Sequence, residues 1–175
     1  MTVFYFIRHG QADFTEANTK IYQGQGYNML TLSPLGRKQI EAAARDHRLK
    51  DAELILTSPF GRTLHSAAIL SKKLGLDICV ETGLHEWLAD GETYEFLPQD
   101  EADRRYQELS ANRGIHPDGE KCAWESAEQM RRRVMDVLEK YKRFHCVIVC
   151  CHGTVMEYVL GIPHPSNGQI VKYEC

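Results

Sequence analysis

MTVFYFIRHGQAD, residues 1–13, is the stretch on which the reading of the whole chain turns. Residues 2–7 (TVFYFI) are β-branched and aromatic, the composition of a buried strand, and the run stops abruptly in Arg8, His9 and Gly10. A core strand that merely becomes a loop needs neither a guanidinium nor an imidazole at its carboxyl end. The strand signature recurs in AELILTS (52–58), LDICVE (76–81), CVIVCC (146–151) and GQIVKYE (168–174). Helix signals lie between these runs. Ser33-Pro34 and Ser58-Pro59 each place a capping hydroxyl before a proline at the first helical position, and Gly75 marks a stop. Ser126 and Gln129 have capping-box spacing, and Met130, Val134, Leu138 and Tyr141 form an apolar stripe; Arg131, Arg132 and Arg133 read as its solvated face.

Strands alternating with helices predict an α/β fold, a three-layer α/β/α sandwich around a mostly parallel sheet. The 175 residues suit one domain, 1–175, large enough to bury about 70% of the surface its unfolded chain exposes. With 43% apolar residues, 26% charged residues and a net charge of −3, the composition speaks against a broad nucleic-acid footprint, so any anion must be held locally. No apolar run approaches the roughly 18 residues of a membrane span, and the first residues lack the pattern of a signal peptide. The expected setting is cytoplasmic, with no membrane or nucleic-acid partner. The six cysteines (Cys79, Cys122, Cys146, Cys150, Cys151 and Cys175) include no CxxC pair and read as reduced thiols, those in CVIVCC as small core residues.

In a parallel sheet the ligand crevice lies beyond the carboxyl ends of the strands. Arg8 and His9 follow the first run, Arg62 falls in the first helical turn after AELILTS, and His152 and Gly153 follow CVIVCC. Singly, each is more often a surface ion pair or a satisfied neighbour. Two arginines and two histidines at corresponding points of three strands instead indicate a phosphoryl pocket. Guanidinium forks match phosphate oxygens two at a time, and helix N-termini add backbone donors. Neutral imidazole can attack phosphorus while a second imidazole stabilises the equatorial oxygens. Gly10 and Gly153 are expected to let the backbone approach the ligand.

FIRHGQA (6–12), GYNMLTLSPLGRKQ (26–39), LTSPFGRTLHSA (56–67), GLHEW (83–87) and VCCHGTV (149–155) together resemble the ordered motifs of the histidine phosphatase superfamily, with its phosphoglycerate-mutase-like fold. That resemblance implies that His9 becomes phosphohistidine, that Arg8, Arg62 and His152 complete the phosphate pocket beside Gly153, and that Glu86 is the proton donor. An alkoxide leaves poorly unless protonated, and the negative substrate should raise the carboxyl pKa. His85, Asp90 and Glu92 are neighbouring alternatives for that role. Thr15 stands where many relatives carry a phosphate-contacting asparagine, with Asn18 and Asn28 as substitutes; His65 is read as packing. Residues 87–124 interrupt the strand-helix rhythm and are expected to form a small helical cap insertion, with a helix near 100–109, that selects the substrate.

The resulting expectation is a metal-independent phosphomonoester hydrolase without cofactor, acting on a small phosphorylated metabolite or a phosphoprotein. A phosphoglycerate-mutase-type phosphoryl transfer is the alternative. The region around Glu86 lacks the asparagine-rich signature of mutases, and the chain is shorter than theirs. A metal hydrolase built on His9, His152 and a carboxylate is disfavoured because two arginines would crowd the ion. A non-catalytic phospholigand-binding module on the same fold remains open.

Overall fold

A computed structural model describes residues 1–175. Its sheet contains β1 (Val3–Arg8), β2 (Leu54–Thr57), β3 (Ile78–Val80), β4 (Cys146–Cys151) and β5 (Ile170–Glu174), in the order β3-β2-β4-β1-β5. The β2–β3, β2–β4 and β1–β4 pairings are parallel, and β5 alone runs antiparallel, along the edge beside β1. The mostly parallel α/β architecture expected from the sequence is present.

Period-two alternation divides the core between the two faces of the sheet. Phe4, Phe6, Leu54, Leu56, Val147, Val149 and Cys151 face one way, into a cluster with α4 (Ala127–Glu139) and α5 (Gly153–Leu160). Ile7, Ile55, Ile148 and Cys150 face the other, toward α1 (Pro34–Ala43) and α2 (Gly61–Leu74). Every residue of β4 is buried, as a central strand covered on both sides requires. The remaining helix, α3 (Gln99–Ala111), covers the expected 100–109 and contributes Leu109 to the α4/α5 side. All six cysteines are free thiols. No helix is long and apolar enough to cross a membrane.

Several local signals hold. Ser33 caps α1 by accepting from the Gly36 N–H, Gly75 ends α2 in the left-handed conformation at φ +71°, and Ser126 with Gln129 forms the capping box of α4. Three expectations are corrected. Helix α2 starts at Gly61 with Phe60, which has no capping side chain, as its N-cap; the Ser58 hydroxyl accepts from the Phe60 N–H at 3.3 Å and meets His152 Nε2. Tyr141 lies beyond the end of α4 and hydrogen-bonds Glu81. Arg133 is no solvated residue: its guanidinium is drawn into an ion pair with Glu125, and only Arg131 and Arg132 stay exposed.

The register of β1 on β4 places the site. Arg8 lies opposite Cys151, and the His9 N–H donates to the Cys151 carbonyl at 3.0 Å. Across the same strand, Thr57 is opposite Cys150 and the Ser58 N–H donates to the Cys150 carbonyl at 3.1 Å. His9, Ser58 and His152 therefore leave three adjacent strands at one level. Gly10 is needed for the chain's own packing rather than for ligand approach, since a Cβ there would meet the Gly36 carbonyl oxygen at 2.2 Å. Gly10→Ala is accordingly expected to destabilise the fold by about 1–3 kcal/mol through overpacking against backbone. Urea midpoints of the variant and the wild type measure this, and an unchanged midpoint would mean that the β1 end is not wedged against α1.

Candidate active site

His9 is 7% exposed, and its Nδ1 lies 2.7 Å from the Gly10 carbonyl oxygen. A carbonyl only accepts, so Nδ1 carries the proton and Nε2 keeps a free lone pair. Burial, followed by the charge of Arg62, lowers the His9 pKa to about 3; the Gly10 hydrogen bond opposes that shift and Arg8 adds to it. The ring is therefore neutral across the ordinary pH range. The Asn167 side-chain amide donates to the His9 carbonyl at 2.8 Å and pins the backbone from the other side.

His152 is fully buried, and its ring centroid is 5.3 Å from that of His9. Its Nε2 meets the Ser58 hydroxyl at 2.8 Å. A hydroxyl can donate to Nε2 or accept from it, and donation leaves the ring proton on Nδ1. That atom is buried without a partner and stands 4.0 Å from Glu86 Oε2. Desolvation, then Arg62 and His9, hold the His152 pKa well below its ordinary value. An unpartnered polar ring atom next to the His9 ring is a waiting contact for a bound ligand.

Arg8 and Arg62 line one cleft of about 210 Å³ together with His9 and Asn167. Arg8 is held by the Pro165 carbonyl, with its Nε buried and unpartnered. Arg62 stacks over Phe60 at 5.0 Å, and Phe60 in turn meets the His152 ring edge-on at 5.3 Å. Burial lowers both guanidinium pKa values and Glu86 pulls them back up; both groups stay cationic. The arrangement is two cations and the neutral His9 ring on one cleft, with the neutral His152 ring packed behind them against His9 and Phe60.

Glu86 joins them from the loop after β3. One carboxylate oxygen accepts from its neighbour's backbone, Trp87 N–H, at 2.8 Å. Desolvation raises the Glu86 pKa, against the opposing pull of Arg62, the Trp87 hydrogen bond, Arg133 and Arg8. The other proton-donor candidates are engaged elsewhere. Asp90 accepts from Glu92 and Thr93, Glu92 pairs with Lys121, and His85 Nδ1 donates to the Glu86 carbonyl.

The loop that carries Glu86 is held by a clamp. The Arg133 guanidinium donates to the Gly83 carbonyl at 2.7 Å, to the His85 carbonyl at 2.8 Å and to Glu125 Oε2 at 2.9 Å. The Glu125 backbone carbonyl accepts from Trp87 Nε1 at 2.8 Å, and its N–H donates to the Leu88 carbonyl at 2.9 Å. Residues 83–88 are thus fixed from both sides.

The structure brings together Arg8, His9, Arg62, Glu86 and His152. Thr15 is not among them: it is exposed, and its hydroxyl donates to Asp13 at 2.7 Å. Of its substitutes, Asn28 lines the neighbouring cleft and Asn18 lines neither. Gly153 is closed in by the chain itself, since a Cβ there would meet the His164 ring at 2.6 Å and Arg8 Cζ at 3.1 Å. The space it leaves holds Arg8 in place. His65 accepts from the Leu32 N–H at 3.3 Å, a packing role. Sequence reading missed Ser58 as the histidine partner, Phe60, Asn167 and the Arg133–Glu125 pair. Ser58 stood inside a quoted motif, but its proline neighbour pointed to a cap; the long-range contacts of Asn167 and Arg133 leave no local signal.

Two consequences are measurable. In the unfolded chain a histidine titrates near 6.5, whereas His9 in the fold stays neutral down to about 3. The unfolded state therefore binds more protons through this window, so stability falls as pH falls from about 6.5 toward 3. One such histidine accounts for about 2 kcal/mol between pH 7 and pH 5, and His9→Gln should show a correspondingly flatter pH dependence of its urea midpoint. Parallel profiles for the two proteins would contradict the buried neutral imidazole. Separately, Arg133→Met leaves Glu125 buried without its partner and should cost about 3–5 kcal/mol, more than the Arg133→Met/Glu125→Leu double variant. Equal losses in single and double variants would show that the pair does not act as a unit.

Comparison with known proteins identifies the family and the fold. The sequence model of the histidine phosphatase superfamily (branch 1) matches residues 4–164. A Hydrogenobacter thermophilus protein named "Putative phosphoserine phosphatase 2" is 29% identical over 164 residues, 91% of this chain and 77% of its own. A Yersinia enterocolitica protein named "Probable phosphoglycerate mutase GpmB" is 26% identical over 182 residues, covering 100% of this chain and 82% of its own. Among solved structures, the mycobacterial glucosyl-3-phosphoglycerate phosphatase superposes with a TM-score of 0.70 at 23% identity, over 98% of this chain and 89% of that one, which establishes a shared fold. With the family match running through every strand but β5, and His9 and His152 meeting at the strand ends, this chain belongs to the histidine phosphatase superfamily.

Proposed function

We propose that the protein hydrolyses phosphomonoesters through a phosphohistidine on His9. The observation that carries this reading is the neutral His9 ring with its Nε2 lone pair free, set beside Arg8, Arg62 and His152, with the half-buried Glu86 carboxyl 4.0 Å from His152. The dianionic phosphoryl group sits between the two guanidiniums, and His152 Nδ1 donates to one of its oxygens. His9 Nε2 attacks phosphorus; the N–P bond forms as the P–O ester bond breaks. Glu86, whose pKa burial raises, delivers its proton to the departing oxygen. Its carboxylate then takes a proton from water, whose oxygen attacks phosphorus, releases phosphate and restores His9.

The names of the relatives support the substrate class at a coarse level, since they refer to phosphoserine, phosphoglycerate and glucosyl-3-phosphoglycerate. A small phosphorylated metabolite fits the size of the site better than a macromolecule. Hydrolysis is favoured over mutase transfer because a mutase would need a second cationic locus for its phosphorylated acceptor, and Arg62 is the one cation lining the adjoining cleft. The segment 87–124, with α3 over that cleft, acts as a cap in a single domain spanning 1–175.

Phosphate release from p-nitrophenyl phosphate in excess chelator should persist in the wild type and fall by at least about 10³-fold in His9→Ala. Near-wild-type rates in the variant would overturn the mechanism. Glu86→Gln should slow an alkyl phosphate by about 10²–10⁴-fold but the aryl ester far less, because nitrophenolate leaves without a proton. Burial raises the Glu86 pKa, so alkyl ester turnover in the wild type declines as rising pH removes that proton. This alkaline limb should be missing from Glu86→Gln; its survival there would assign the acid to another group.

A further inference from the structure

The phosphoryl pocket opens into a second cleft of about 200 Å³, entered past Arg62 and Glu86, and this is where the alcohol part of a substrate must lie if the phosphatase reading holds. Its walls are Tyr27, Phe60, Trp87, Leu88, Phe96 and Leu97. Tyr27 is shared by both clefts and stacks with Phe14 at 5.7 Å and tilts against Phe96 at 5.6 Å, which makes an aromatic wall continuous from one cleft to the other. The Trp87 indole N–H is already taken by the Glu125 carbonyl, so the ring offers the cleft an apolar surface only.

Carboxyl groups outnumber cations around this cleft. Arg62 is committed to the phosphoryl side, and the other ionisable lining groups are Glu86, Asp90 and Glu95. Asp90 is held ionised by hydrogen bonds from the Glu92 and Thr93 N–H groups and the Thr93 hydroxyl, which lower its pKa. The amides present are partly spent on the protein itself, with Gln25 donating to the Tyr94 carbonyl and Asn28 donating to Gln25. A substrate carrying a carboxylate or a second phosphate would bring its extra anion into an apolar cleft beside Asp90 and Glu95, while Arg105 behind the wall is already spent on Glu101 and the Ala89 carbonyl.

We propose that this cleft selects phosphomonoesters whose alcohol part is aromatic or otherwise apolar and uncharged, and that it disfavours the carboxylate-bearing esters for which several relatives are named. An apolar ring buries its surface against Tyr27, Phe96 and Trp87, whereas an anionic group loses its water without gaining a partner. Phe96 is the wall that supplies apolar contact, and Glu95 is the charge that repels.

The test is binding of three non-activated alkyl esters, 2-phenylethyl phosphate, ethyl phosphate and 3-phosphoglycerate, to the His9→Ala protein by calorimetry, alongside their turnover by the wild type. All three have alkyl leaving groups, so leaving-group chemistry does not produce the ranking. The proposal expects 2-phenylethyl phosphate to bind about ten-fold or more tightly than ethyl phosphate and 3-phosphoglycerate. Phe96→Ala in the same background should collapse the advantage over ethyl phosphate, and Glu95→Lys should improve 3-phosphoglycerate binding. Equal binding of the two uncharged esters, or tighter binding of 3-phosphoglycerate, would overturn the proposal whatever the turnover. The expected binding order without turnover of any ester by the wild type would uphold the cleft's preference and remove the phosphatase reading instead.

Discussion

The parallel pairing of β1 with β4 is the constraint on which the site depends. Because Arg8 is opposite Cys151, the residues that follow, His9 and His152, emerge side by side, and their ring centroids stand 5.3 Å apart. A one-residue slip would turn every side chain of β1 to the opposite face, exchanging Phe6 for Ile7 in the core and directing His9 away from its partner. The two core clusters on either side of the sheet enforce that register, since Phe4 and Phe6 fit one and Ile7 the other. Packing of ordinary apolar residues thus determines the geometry of the reacting ones.

The same burial sets the electrostatics. Both histidines are desolvated next to Arg62, and both lose the tendency to protonate; for a nucleophile that is an advantage, because a protonated imidazole has no lone pair to give. Burial acts on Glu86 in the opposite sense, favouring its protonated form. One environment therefore pushes the imidazoles toward their unprotonated forms and the carboxyl group toward its protonated form. The cost is a fold that carries unpaired polar atoms at Arg8 Nε and His152 Nδ1, both at the place where a phosphoryl group would satisfy them.

Much of this was legible in the sequence, because it is local. Strand runs, the Ser33 cap, the Gly75 stop and the Ser126–Gln129 box all depend on neighbouring residues, and Arg8, His9 and His152 stand next to the strand ends that position them. The parts that were not legible depend on distant partners. Arg133 lay in a run of three arginines on an amphipathic helix, where the solvated reading is natural; only the fold shows that Glu125 and the 83–85 carbonyls meet it. Ser58 has the pattern of a helix cap and is diverted by a histidine 94 positions along the chain. Glu86 and Thr15 were placed by family resemblance alone, and geometry treats them differently: Glu86 approaches His152, whereas Thr15 turns to Asp13.

The central claim is that His9 carries the phosphoryl group between two chemical steps. Rapid acid-free quenching of the wild-type protein with an alkyl phosphate, followed by phosphorus NMR and peptide mass spectrometry, examines it most directly. The account predicts a phosphoramidate on His9 Nε2, labile to acid and stable to base, that disappears as phosphate is released. Steady turnover with no phosphorylated His9 at any time, or a modification that persists in His9→Ala, would contradict it.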